Sequence, residues 1–255
     1  MARALTFTAL AGIPAVAPGD DLPALIAAAL TQSGSALAEG DVLVVAQKIV
    51  SKSEGRFVDL HTVTPSARAL ELAHITRKDA RLVELVLSES SEVLRAVPQV
   101  LIVRHRLGFV MANAGIDRSN VDSHDGADLA LLLPIDPDSS AARLRAGLRA
   151  LTGIAPAVIV SDSFGRPWRN GVVNIALGAA GLPALIDRRG ECDLYGRRLE
   201  VTQVAWADGL AAGAALVMGE GAEGTPVALI RGAHHDAAEV NAQALVRPIA
   251  EDLFR

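Results

Sequence analysis

Two short runs, Val42-Leu43-Val44-Val45-Ala46 and Ala157-Val158-Ile159-Val160-Ser161-Asp162, constrain this chain more than any other feature. Each is continuously apolar over its first four or five residues and rich in β-branched side chains. Each therefore reads as a strand buried on both faces. Strands of that kind belong at the centre of a sheet, which places the chain in the α/β class. Both runs also stop abruptly in polar residues. The first passes into Gln47-Lys48 with Lys52 four residues on, and the second ends in Asp162-Ser163. Open α/β sheets bind ligands beyond the carboxyl ends of such strands, so these are the first candidate site residues.

Composition bounds what the chain can be. Its 255 residues suggest between one and two domains, and 51% hydrophobic residues supply a sizeable core. A net charge of −5 argues against a basic nucleic-acid binder, and 3% aromatic content argues against serial base stacking. Cys192 stands alone, so an internal disulfide is excluded and a reducing compartment, the cytoplasm, is expected. No apolar run is long enough to read as a membrane span. Met1-Ala2-Arg3 and the stretch to Ala17 loosely resemble a secretory leader. Thr6, Thr8, Gly12 and Pro14 interrupt it, and a first strand over Leu5–Leu10 is expected instead.

Further elements follow from pattern. Asp20-Asp21-Leu22-Pro23 predicts a helix start, with the helix running to about Leu37. Helices are expected from Pro65 to Arg77, from Ala80 to Leu94 behind an Asp79 cap, from Ser139 to Leu151 behind an Asp138 cap, and from Val204 to Met218. Short strands are expected at Val100–Val103, Phe109–Met111, Leu129–Leu133 and Val227–Ile230. Ser163–Gly171 reads as a loop, followed by a Gly/Ala-rich segment to Gly181 and a turn-rich stretch from Asp187 to Arg198. With no repeat and no low-complexity linker, a single intertwined mixed α/β unit is expected, with a boundary near residue 135 left open.

Several clusters carry candidate chemistry. Asn113-Ala114-Gly115-Ile116-Asp117-Arg118-Ser119-Asn120 follows a strand and crowds oxygen donors around a glycine. It reads either as a self-satisfied Asx turn or as an oxygen-ligand site for Mg²⁺ or Mn²⁺, with Asp117 as ligand and Asn120 on a phosphate or base. Asp162 closes a buried strand, where metal coordination would offset the cost of an unpaired carboxylate. Arg166 and Arg169 flank a turn after it; they read as fork donors for a polyanion or as surface arginines. Met218-Gly219-Glu220-Gly221-Ala222-Glu223-Gly224 follows a helix and is by itself only a glycine-rich terminus. Neither a P-loop nor a convincing dinucleotide fingerprint is present, Ser163 lies in no nucleophile elbow, and His234-His235-Asp236 lacks a third zinc ligand at helical or finger spacing. Cys192 has no evident activating base.

Taken together, Gly12-Ile13-Pro14, Gly19-Asp20-Asp21, Gly40 to Lys52, Asn113 to Asn120, Ser161 to Gly171, Asp193 to Arg197, Met218-Gly219-Glu220 and Val227 to Gly232 resemble the coenzyme F420-0:L-glutamate ligase family. The resemblance implies GTP-dependent addition of L-glutamate to the lactyl-phosphate tail of F420-0 through an acyl phosphate. It also implies two divalent-metal sites for Mg²⁺ or Mn²⁺, with K⁺ as a further candidate ion. By matching motif, Asp117 and Asp162 look like ligands of one metal, and Ser163 and Glu220 of a second. Nucleotide contacts would fall on Ile13, Pro14, Ala15 and Val16, on Gln47, Lys48, Lys52 and Asn120, and on Met218, Gly219, Glu220, Gly221, Ala222, Glu223, Gly224 and Thr225. Arg166 and Arg169 are assigned to anionic groups of GTP or the coenzyme tail, as the catalytic pair. A homodimer is implied, with no nucleic-acid or membrane partner. Ser163 replaces the threonine common among relatives but keeps the hydroxyl, whereas Gly209 replaces an acidic residue. A non-catalytic nucleotide or deazaflavin module, and a ligase with another acceptor, are the competing readings.

Overall fold

The computed structural model describes residues 4–119 and 127–252. In chain order these residues form β1 (Thr6–Ala9), α1 (Leu22–Gln32), β2 (Val42–Ala46), α2 (Gln47–Ser53), β3 (Phe57–Asp59), α3 (Ala67–Thr76), α4 (Ala80–Ser88), β4 (Ser90–Val97), β5 (Val100–His105), β6 (Val110–Ala112), β7 (Leu129–Leu131), α5 (Pro137–Thr152), β8 (Ala157–Arg166), β9 (Arg169–Ala180), β10 (Leu185–Asp187), β11 (Gln203–Ala205), α6 (Trp206–Met218) and β12 (Val227–Arg231). The class is α/β, as the two apolar runs require.

The central sheet has the order β1-β12-β2-β8-β9. Only β2 and β8, the two apolar runs, are parallel to each other; the other neighbours are antiparallel. Successive residues of these strands enter different cores. Leu43, Val45, Val158 and Val160 pack with Ile26 and Leu30 of α1 and with Leu144 and Leu148 of α5. Val42, Val44, Ala157 and Ile159 pack on the other face with Leu210, Ala211 and Ala214 of α6. Three layers result, and the continuous apolar runs are explained: each strand has no solvent-facing side. A smaller sheet, β4-β5-β6, is covered by α3 and α4 around Leu72, Val83, Val86, Leu101 and Val103.

Helix starts follow local chemistry. Asp21 accepts from Ala24 N–H ahead of Pro23, Ser66 caps α3, and Asp79 accepts from Arg81 N–H at the start of α4. Four expectations are corrected. Helix α1 ends at Gln32, with Ser33 capping back to Ala29 and Gly34 turning the chain. Helix α4 ends at Ser88, and residues from Ser90 pair with β5 as a strand. Asp136 rather than Asp138 caps α5, its carboxylate accepting from Ser139 N–H, and Pro137 opens the helix. Asp138 instead accepts N–H bonds from Ala179 and Ala242, tying α5 to the end of β9 and to a later segment.

The fourth correction matters most for the site. Ser163–Gly171 is the distal half of a long β8–β9 hairpin rather than a loop, and the Gly/Ala-rich segment is strand β9 itself. Small residues suit that position: a Cβ at Gly178 would lie 2.1 Å from the Pro137 carbonyl oxygen, so β9 packs on the start of α5 only as glycine.

Candidate active-site cleft

A cleft of about 670 Å³ opens at the carboxyl end of β2 and beside Ser161–Ser163 in the middle of β8. Its walls come from four separated stretches: Ile13–Val16 after β1, Gln47 to Lys52 on α2, the Asp117–Ser119 turn, and the loop from Met218 to Pro226 after α6. Ser161, Asp162 and Ser163 of β8 and Asn174 of β9 complete it.

Each polar side chain is held by its element. Helix α2 begins directly where β2 ends, which delivers Gln47 and Lys48 in its first turn. Gln47 is buried and accepts from the Ser51 hydroxyl at 2.9 Å, one helical turn on. Asp117 is fixed by its backbone, which exchanges N–H···O bonds of 3.0 and 2.8 Å with Leu131 of β7. The turn that brings the chain there places Asn113 and Ala114 at φ of 50° and 53°, a conformation that non-glycine residues adopt at a cost. The β8–β9 register shifts between Val160, paired with Gly178, and Ser161, paired with Ala176, so the extra residue is Leu177 of β9.

The electrostatics centre on two carboxylates and one ammonium. Lys48 Nζ lies 2.6 Å from Asp117 Oδ2 and 2.9 Å from Ser119 Oγ. Ser119 in turn donates its N–H and hydroxyl to Asp117 Oδ1 at 2.6 and 2.8 Å. Burial works against the Asp117 charge, but Lys48 and Ser119 outweigh it and hold the carboxyl below the usual carboxylate range. Asp162 is the opposite case. Burial pushes its carboxyl up to about 7, the Ser163 N–H and Lys48 oppose the rise, and the negative charges of Asp117 and Glu220 add to it. Two more groups are left wanting: among the described residues Ser161 Oγ and Asn174 Oδ1 are buried without hydrogen-bond partners. Orphaned polar atoms in a cleft mark places where a bound molecule completes the bonding.

The glycine-rich loop is ordered by its own contacts. Gly219 adopts φ 76°, Gly221 N–H donates to Glu223 at 2.8 Å, and the Thr225 hydroxyl donates to the Met218 carbonyl at 2.8 Å. Glu220 itself is exposed at the cleft wall.

The residues singled out in the sequence are therefore largely gathered in one place. Ile13 to Val16, Gln47, Lys48, Lys52, Asp117, Asp162, Ser163 and Met218 to Thr225 all line the cleft. Asn120 lies outside the described residues. Arg166 and Arg169 do not line the cleft; they face each other across the exposed tip of the β8–β9 hairpin, beside Trp168. Sequence reasoning missed Ser161, Ser119 and Asn174. Ser119 sits in the oxygen-rich turn and Ser161 precedes Asp162, but Asn174 had no local signal, because its place depends on pairing with Ser163 across the hairpin.

Among the described residues no three of His, Cys, Asp and Glu converge to hold a metal ion. The donor set nonetheless suits a hard divalent cation. It is all oxygen, it includes a carboxyl whose charge is penalised, and an ammonium already occupies the position beside Asp117 where positive charge is favoured.

Fold and cleft together define an α/β protein with a polar cleft where β2 ends and beside the middle of β8. The F420-0:gamma-glutamyl ligase family model matches residues 12–232, and the chain belongs to that family. Similar proteins include the coenzyme F420:L-glutamate ligases of Methanothermobacter thermautotrophicus, 49% identical over 246 residues and 96% of each chain, and of Methanopyrus kandleri, 45% identical over 94% of this chain and 93% of that one. The coenzyme F420:L-glutamate ligase of Archaeoglobus fulgidus is 44% identical over 96% of this chain and 94% of its own.

Proposed function

We propose that this chain joins L-glutamate to the lactyl-phosphate tail of coenzyme F420-0 by a GTP-dependent route. A carboxylate is a poor electrophile toward an amine, so it must first be activated. The tail carboxylate oxygen attacks the γ-phosphorus of GTP, GDP leaves, and the acyl phosphate formed is attacked by the glutamate amine. Phosphate departs, the amine loses a proton, and the amide remains. Such chemistry asks a protein mainly for positioning and for compensation of negative charge.

The observation that carries this reading is the convergence, in one cleft, of two carboxylates from different elements with Lys48, Lys52 and an ordered glycine-rich loop. Lys48 and Lys52 lie one turn apart on α2 and offer cations to the phosphates. The loop from Met218 to Thr225 offers backbone that can approach a nucleotide closely. Ser161 and Asn174 supply polar contacts that the cleft leaves unused. Asp117 and Asp162 would hold one Mg²⁺ or Mn²⁺, and Ser163 with Glu220 a second, K⁺ being a further candidate. Divalent ions there would supply positive charge to the phosphoryl oxygens. The protein acts in the cytoplasm as a homodimer in this reading. Among the described residues no helix is long and apolar enough to cross a membrane.

The test is an assay of purified protein with F420-0, L-glutamate, GTP and Mn²⁺, following coenzyme mass and GDP together. One glutamyl increment per GDP is the expected result. GDP without the increment means another acceptor, and neither product means a binding module.

A further inference from the structure

A second cavity, about 690 Å³, lies at the opposite end of the central sheet. It borders Ala179 and Ala180 of β9, which pair with Ile159 and Val158 at the start of β8, whereas the cleft described above uses Ser161–Ser163 farther along that strand. Its other walls are the outer flank of α5 and the segment Glu239–Asn241.

This cavity is built rather than left over. Arg145 and Arg149 stand one helical turn apart on α5 and both line it. Among the described residues neither guanidinium has a hydrogen-bond or ion-pair partner, and Arg145 Nε is buried with its N–H unused. The Arg145 head lies against the Gly181 backbone: at φ 81°, a Cβ there would fall 2.4 Å from Nε. The opposite wall is pinned. Ala184 N–H donates to the Val240 carbonyl at 2.8 Å, and Asp138 accepts from Ala242 N–H at 2.9 Å. Asp138 is thereby engaged with backbone and pairs with neither arginine. Glu239 also lines the cavity without pairing with either of them.

A buried guanidinium N–H with no acceptor is costly, and its fork geometry matches the oxygens of a carboxylate or phosphate. The remaining lining is largely alanine, which suits an apolar body behind the anionic group. We propose that the Arg145–Arg149 cavity is a second ligand site, separate from the cleft, which takes a small molecule bearing a phosphate or carboxylate group.

Isothermal titration at fixed ionic strength, with pyrophosphate and with citrate as probes, tests this. The full chain is compared with the Arg145→Met/Arg149→Met double variant and with Glu239→Gln. The cleft is intact in all three, so binding there is common to them. The proposal expects a binding event in the parent chain that weakens at least about tenfold in the double variant. It also expects that event to tighten severalfold in Glu239→Gln, where an opposing charge is gone. Response to pyrophosphate alone assigns a phosphate ligand, and response to citrate alone a carboxylate. Circular dichroism checks the fold; should the double variant not fold, the exposed Arg149→Met replaces it, with weakening of at least about threefold. Equal binding in parent and variant, or no binding of either probe at millimolar concentration, overturns the proposal.

Discussion

At the scale of single residues, Asp117 and Asp162 show how environment divides two like side chains. Asp117 has an ammonium at 2.6 Å and two donors from Ser119, and stays charged. Asp162 is penalised by burial and by its acidic neighbours, and is the group that gains most from added positive charge. Asp162→Ala is therefore predicted to lower kcat/KM for glutamate addition by about a hundredfold or more, by analogy with the loss of one preorganised electrostatic group. The melting temperature of the free protein should not fall with it, since the carboxylate's burial is unfavourable. A variant with near-parental activity at saturating Mn²⁺ removes Asp162 from the site. Asp208 offers a test of the same physics away from the cleft. Burial raises its carboxyl, with only the Ala176 N–H at 2.9 Å opposing. A raised carboxyl penalises the folded state once it must ionise, so stability contributed by the neutral form is lost as pH rises above the unfolded value near 4. Asp208→Asn keeps an oxygen acceptor for Ala176. Urea melts at pH 5 and pH 8 should show the variant gaining on the parent at the higher pH; a gain at the lower pH contradicts the assignment.

Elements differ in how much of them local sequence determines. Strands β2 and β8 were legible because continuous apolar character over four or five residues has few other uses, and Asp162 was legible because it interrupts such a run. Helix starts were legible where a cap and proline coincide, as at Asp21 and Pro23. What misled was tertiary. Val93 and Leu94 continue a helical apolar pattern past Ser88, yet Ser90–Val97 is claimed by pairing with β5. Gly165, Pro167 and Gly171 look like loop residues, but pairing extends along β8 and β9 on either side of Pro167-Trp168. That pairing hid Asn174, and it sets Arg166 and Arg169 at the exposed tip of the hairpin. The cap on α4 gives a prediction at this scale. Asp79 accepts the Arg81 N–H at 2.8 Å and pairs with the Arg81 guanidinium, which lowers its carboxyl to about 2. Asp79→Ala should cost about 1 kcal/mol of stability at neutral pH. A lowered carboxyl contributes stability that is present above pH 4 and lost as pH falls toward 2, so the parent and variant denaturation midpoints should converge over that interval. Midpoints that stay parallel down to pH 2 mean that the cap does not act through its charge.

At the scale of the whole molecule, the cleft draws on stretches separated by some two hundred residues of chain, from Ile13 to Thr225, brought together by the central sheet. Ligands that bridge those stretches cross-link the fold without a covalent bond. Binding confined to the native state stabilises by RT ln(1 + [L]/Kd), about 2.7 kcal/mol when ligand is a hundred times its Kd. For a chain of this size that corresponds to a rise in melting temperature of roughly 5–10 °C. GTP with Mn²⁺ is predicted to produce such a rise in the parent protein. The rise should shrink strongly in Asp162→Ala, where the divalent ion loses a ligand, and persist in Arg145→Met, whose guanidinium lies at the other end of the sheet. Thermal melts of the three proteins with and without GTP and Mn²⁺ read this directly. A rise that survives Asp162→Ala intact places nucleotide binding elsewhere than the cleft, while one abolished by Arg145→Met places it in the second cavity. Persistence in Arg145→Met with loss in Asp162→Ala is the pattern that a nucleotide in the cleft requires, because only the cleft joins the two carboxylates, α2 and the glycine-rich loop.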